Sequence, residues 1–162
     1  MSDIPELLSK QAEHQWLRFL PLVADSERER VLAHEPAIRR AFALSDFIAE
    51  SAVTCPALLP TLLGRGDLQN AQRHAHYAGW LQGRLAEVFD EESLKRQLRL
   101  FRREAMVAIA WRELLGLSTV EESFVHLTAL ADTLIGQARD WLYAKACRES
   151  GTPQNAEGDV QR

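Results

Sequence analysis

Two histidines one residue apart, His74 and His76, are the most closely spaced metal-ligand types in the chain. A metal site needs such nitrogens to converge on one ion. On a helix, positions two apart point about 200° away from each other, so the pair reads as surface histidines. Cys55 and Cys147 are the only cysteines, and neither stands in a Cys-x-x-Cys or Cys/His spacing. Both read as reduced thiols with no histidine near them in sequence. A serine nucleophile would call for a Gly-x-Ser-x-Gly elbow, and a phosphate cradle for a Gly-rich loop after a strand. The sequence contains neither. No catalytic, cofactor-binding or metal-binding residue is therefore assigned.

The arginines are more informative. On a helical wheel at about 100° per residue, Leu94, Leu98, Phe101, Ala105, Ala108 and Ile109 share one face. Lys95, Arg96, Arg99, Arg102 and Arg103 cover the opposite side. The plain reading is a solvated face with pairs such as Glu92–Arg96. The functional one is a docking surface on Arg99, Arg102 and Arg103, because guanidinium forks bind carboxylates and phosphates bidentately. Arg112 projects instead onto the apolar side. There it is expected to be partly buried and to need an acid or backbone carbonyls, with Asp132 and Asp46 among the candidate partners of a buried ion pair.

The elements that position these residues are helical. Leu8, Ala12, Trp16, Phe19 and Val23 recur every three to four residues, and Pro21 weakens that helix near its end. A short helix is predicted over 26–33, and another starts at Pro36 and carries Ile38, Ala41 and Phe42. Ser45 is placed to cap a helix over 46–54, with Asp46 in its first turn. Pro56 and Pro60 bracket a short turn or helix, and residues 64–67 read as a loop. Three long helices follow, over 71–89, 91–117 and from about 120 to Gly151. Asp90 caps the second, and Ser118 with Glu121 forms a capping box for the third. The third carries Phe124, Leu127, Ala131, Leu134, Ala138 and Trp141 on one face. Strand alternation is absent. The expected fold is all-α: a helical bundle of three long helices plus short N-terminal helices. Residues 1–151 form the helical lobe, and 152–162 form a polar tail or linker.

With 162 residues the chain suits one domain or one lobe of a larger protein. Its net charge of −4 argues against a nucleic-acid partner, which would call for a strong basic excess. The N-terminal residues lack a basic region followed by an apolar run, and no apolar run approaches the roughly 20 residues of a membrane span. A soluble cytoplasmic protein without membrane contact is expected.

One further pattern is carried by several pieces in order. Phe101-Arg102-Arg103-Glu104 with Ile109-Ala110-Trp111-Arg112 resembles the Phe-Arg-Arg-Arg … Ile-Ala-Trp pattern of bifunctional glutamine synthetase adenylyltransferase/adenylyl-removing enzymes. Ser45-Asp46-Phe47 ahead of Cys55-Pro56 agrees, as do Tyr77-Ala78-Gly79-Trp80-Leu81 and Ala138 to Tyr143 leading into Arg148 to Pro153. The resemblance covers roughly residues 40–160. Glu104-Ala105 departs from the basic or bulky residues often found after the paired arginines.

The resemblance implies a parent enzyme that attaches AMP to a tyrosine of glutamine synthetase and removes it by phosphorolysis, under control of the PII signal protein. It implies ATP and a Ser-Asp-x-Asp carboxylate pair that holds Mg2+ in a nucleotidyltransferase domain. That motif is expected just after a tail such as residues 154–162. The chain is thus expected to be the N-terminal helical segment of the adenylyl-removing half, lacking the catalytic motif and needing no cofactor itself. The alternative is a stand-alone helical interaction module that docks an acidic partner on Arg99, Arg102 and Arg103. A third reading is a small enzyme with a dispersed site.

Overall fold

The computed structural model describes residues 4–70, 76–155 and 158. Among them the fold is all-α, as the periodicity predicts. Helix α1 runs Glu6–Phe19 and ends in a single 3-10 turn, Leu20–Leu22, where Pro21 sits. Then come α2 (Asp25–Ala33), α3 (Glu35–Leu44), α4 (Asp46–Thr54), α5 (Leu58–Arg65), α6 (Tyr77–Leu85), α7 (Glu91–Leu114) and α8 (Val120–Ser150).

Two of the three expected long helices are present, at 24 and 31 residues. The span 71–89 differs: its described helix is the nine-residue α6, and residues 71–75, with His74, lie outside the described residues. Tyr77, not Ala78, joins Leu81, Leu85 and Val88 in the core. Predicted starts and stops are otherwise close. The Ser45 hydroxyl accepts the Ile48 amide at 3.3 Å, and the Asp90 carboxylate accepts the Ser93 amide at 2.8 Å. The capping box before α8 sits one residue later than predicted. Thr119, not Ser118, takes the extended conformation of a cap, and its partner is Glu122. Gly151 closes α8 with φ 85°.

The apolar side chains separate into two cores. The first gathers α1 to α5 around Phe19, Ile38, Phe42, Ile48 and Leu59, all fully buried. Phe19 and Phe42 meet edge to face at 5.8 Å, a favoured geometry for two ring quadrupoles. The second gathers α6, α7 and α8 around Tyr77, Leu81, Phe101 and Leu130. Helix α7 belongs to both. Leu94, Phe101, Ala105 and Ile109 face the second core, while Val107 and Trp111 face the first. The pair α4 and α5 is apolar enough to resemble a bent membrane span, but no single described helix is long and apolar enough to cross a membrane. Both helices contribute to the first core.

Two glycine turns bracket the junction between the cores. After α5, Gly66 at φ 70° lets Asp67 N–H reach Leu62 O at 3.0 Å and Gly66 N–H reach Leu63 O at 3.1 Å. After α7, Gly116 at φ 73° lets Leu117 N–H reach Arg112 O at 2.7 Å and Gly116 N–H reach Glu113 O at 3.0 Å. Both are Schellman closures, which satisfy the last carbonyls of a helix and need the left-handed conformation that glycine adopts without strain. Gly136 is the opposite case, interior to α8 with open space where a Cβ would stand. Gly136→Ala should raise stability, and Gly116→Ala should lower it, each by roughly 1 kcal/mol. Denaturant midpoints of the two variants check both signs.

Candidate functional site

The junction encloses a cavity of about 260 Å³. Its walls come from the end of α5 and the Gly66 turn, from α6, from the middle of α7, and from the start of α8. Each wall has a local cause. The Schellman turn after α5 delivers Asp67 and Leu68. The one after α7 delivers Leu117 and Ser118. The α8 cap at Thr119 then sets Ser123 and His126 on the inward stripe of that helix.

Arg112 lies at the centre of this arrangement and is only 5% exposed. Its Nη1 donates to the Leu68 carbonyl at 3.4 Å and its Nη2 to the Leu117 carbonyl at 2.6 Å. The described partners are therefore backbone carbonyls presented by the two glycine turns. The carboxylates considered from sequence do not serve: Asp132 is exposed, and Asp46 accepts from Gln11 at 2.5 Å. A carbonyl can take this role because a helix-end turn leaves it unpaired within easy reach of the preceding turn. The Nε of Arg112 and the hydroxyl of Ser118 are buried without a hydrogen-bond partner among the described residues.

Across the cavity, the Tyr77 hydroxyl and His126 Nδ1 lie 3.1 Å apart in a buried hydrogen bond. Burial, reinforced by the negative charge of Asp67 and opposed by Arg112, pushes the Tyr77 phenol up to about 12. At the rim, Glu104 accepts from Arg84 through both oxygens, at 2.9 and 2.5 Å, and from Arg65 at 3.3 Å. Arg84 also lies 5.2 Å over the Phe101 ring, within cation–π range. Glu104, the departure from the family pattern, thus holds two guanidiniums at the cavity mouth.

The expected docking arginines are not one patch. Arg99 and Arg102 are exposed, with no hydrogen bond or ion pair among the described residues. Arg103 is half-buried and donates to the Cys55 sulfur at 3.2 Å. It precedes Val107 by four residues, so it shares the face of α7 that the first core covers. The wheel treated that side as solvent because α4 could not be seen packing on it. Likewise, Lys95 rather than Arg96 pairs with Glu92, at 2.7 Å. His76 stands exposed at the start of α6, against Trp80 at 5.8 Å.

Sequence reasoning missed Tyr77, Ser118, Ser123, His126 and Glu104 as cavity residues. A signal existed for two of them. Ser123 and His126 recur at helical spacing with Leu130 and Leu134, so polar residues occupy a stripe that otherwise faces a core. The expected face through Phe124 is partly right: Leu127, Leu134 and Trp141 pack against the second core, whereas Phe124 is 63% exposed and Ala131 is exposed.

A helical bundle with a polar cavity between two cores is a class that many functions share. The comparison with known families narrows it. The family model of glutamate-ammonia ligase adenylyltransferase matches residues 36–162, a span from α3 through α8 that includes every wall of the cavity. The chain belongs to that family, a family of transferases that act in adenylylation.

Two outcomes test this geometry. Arg112→Ala should cost about 2–3 kcal/mol, because it empties a buried site and strands the Leu117 carbonyl; thermal melting measures it. The pKa of Tyr77 lies above its unfolded value, so its contribution to stability is intact below pH 10 and is lost as pH rises through 12. Relative to Tyr77→Phe, the wild type should lose roughly 2–3 kcal/mol across that window, read from denaturant melts at each pH.

Proposed function

We propose that this chain is a helical lobe of the adenylyl-removing half of an adenylyltransferase that acts on glutamine synthetase, working beside a separate nucleotidyltransferase domain in the cytoplasm. The observation that carries the reading is the family match across α3 to α8. The magnesium chemistry that the resemblance implies belongs in this reading to that separate domain. Among the described residues no group of three or more His, Cys, Asp or Glu side chains could hold a metal ion.

An exposed seam on α8 supports a lobe that packs against something else. Phe124, Ile135 and Leu142 are 63%, 69% and 44% exposed. With Ala131 and Ala138 they step by seven, four, three and four residues down one line of the helix. Such a seam is what a facing helix covers in knobs-into-holes packing. In this reading a catalytic domain, glutamine synthetase or the PII signal protein covers it.

The test uses one substitution and two readouts. Ile135→Glu should leave melting of the chain within about 0.5 kcal/mol of wild type, as for an exposed site. In a family adenylyltransferase containing this segment, it should reduce the release of AMP from adenylylated glutamine synthetase at least severalfold. Unchanged activity there would defeat the proposed role, as would AMP release by the chain alone.

The second reading, a module that docks an acidic partner, rests on the unpaired and exposed Arg99 and Arg102. Charge reversal at these two residues should weaken such a complex with steep salt dependence. Arg103→Glu should instead lower the melting temperature, because it places a carboxylate beside the first core.

A further inference from the structure

The outward face of α8 has the pattern of a helix that pairs with another helix. Phe124, Thr128, Ala131, Ile135, Ala138 and Leu142 follow one another in alternating steps of four and three. That repeat sets one stripe of side chains into the holes of a facing helix. On one flank of the stripe, Leu127, Leu134 and Trp141 pack on the second core. On the other flank, Val125, Asp132, Arg139 and Ala146 are exposed. The large members of the stripe itself, Phe124, Ile135 and Leu142, are exposed as well.

The stripe matches its own reverse. Turned end for end about its midpoint at Thr133, it sets Phe124 against Leu142 of a second copy, Thr128 against Ala138, and Ala131 against Ile135. The same three pairs then recur in the opposite order, as a two-fold axis requires. Each alanine thus meets a larger side chain, and the layers fill evenly. A parallel pair would stack Ala131 on Ala131 and Ile135 on Ile135, with gaps next to crowded layers. Charge selects the same register. One step beyond the apolar stripe lie Glu121 at one end and Lys145 at the other, and the antiparallel match brings them together at both ends. Glu121 is exposed, and Lys145, although it holds Glu91 at 2.6 Å, keeps its side chain 30% exposed. A slip of one heptad either sets Phe124 against Glu149 or carries Leu142 to Leu117, ahead of the start of α8. The one like-charge contact is Asp132 facing its own copy on the exposed flank, where water makes it cheap.

We propose that this seam pairs with the same seam of a second copy of the chain, antiparallel about Thr133, and so removes Phe124, Ile135 and Leu142 from water. The stripe is about 27 Å long and about 10 Å wide. Two copies therefore cover roughly 600 Å², well under the roughly 1,200 Å² of a lasting complex, and the pair is a weak one in exchange with monomer. The proposal needs only this chain and does not rest on the adenylyltransferase reading. A second copy and the partners of that reading exclude one another on this face.

Sedimentation velocity of the chain from about 10 μM to about 1 mM reads the pair. The sedimentation coefficient should rise with concentration from the monomer value toward that of a dimer. Ile135→Glu should keep the monomer value throughout, and its melting at the lowest concentration controls for folding. Two further variants test the register. Glu121→Lys sets like charges together at both ends and should weaken the pair about fivefold, while Asp132→Asn should tighten it about twofold. A parallel pair predicts neither effect, because Glu121 would face its own copy and Asp132 the apolar flank. The proposal is overturned if the wild type stays monomeric at every concentration, which leaves the face to the partners of the adenylyltransferase reading. It is equally overturned if association runs past two copies, if Ile135→Glu pairs as the wild type does, or if Glu121→Lys and Asp132→Asn leave the affinity unchanged.

Discussion

Because α7 is packed on two sides, the helices on either side of it are not independent. Val107 and Trp111 are set into the first core, while Phe101, Ala105 and Ile109 are set into the second, within three turns of one helix. A helix buried on both faces has little room for polar side chains in that stretch, and α7 nevertheless carries Arg112 there. The fold accommodates the charge by bringing two chain ends to it. The Gly66 turn and the Gly116 turn each offer a carbonyl, and the guanidinium joins them. The end of α5 and the start of α8 are thereby fixed to the same point on α7, and the cavity is the space left around that point.

This arrangement explains why the cavity is polar although it lies between hydrophobic cores. A guanidinium keeps its charge at any ordinary pH, so its surroundings must supply acceptors. Groups that accept or balance charge also line the cavity: the Tyr77–His126 pair, Asp67, and Glu104 with its two arginines. Replacing one buried ionic group with an apolar one is often tolerated when the partners go with it. Here the partners are backbone carbonyls and cannot be removed, which makes the arginine hard to exchange.

Much of the fold was legible because local signals agreed with the tertiary outcome. The stripe from Ala12 to Val23, the caps at Ser45 and Asp90, and the stop at Gly151 each follow from side-chain chemistry that acts within a few residues. The burial of Arg112 was legible for the same reason, from its place on the wheel. What escaped was whatever depends on a second helix. The wheel of α7 shows one apolar face, and Val107 and Trp111 on another side look like exceptions until α3, α4 and α5 lie against them. Arg103, expected on the solvated face, lies on that side too. The capping box moved by one residue because Ser118 and Thr119 are chemically equivalent candidates, and only the Gly116 turn decides which of them adopts the extended conformation.

The α8 stripe shows the same limit from the other direction. A sequence reader ranks faces by hydrophobicity, and the face through Phe124, Ala131 and Ala138 ranks well. The structure turns Ser123, His126 and Leu130 inward and leaves Phe124, Ile135 and Leu142 outside. The polar residues of that inward face, Ser123 and His126, meet the polar wall around Arg112, while Leu127, Leu130, Leu134 and Trp141 pack on the second core. Helix α8 thus packs one apolar line inward and carries a second outward: a wall of the cavity and core on one side, and a seam that fits another helix on the other. The two lie on one element, so the packing that fixes the orientation of α8 also fixes how that seam is presented.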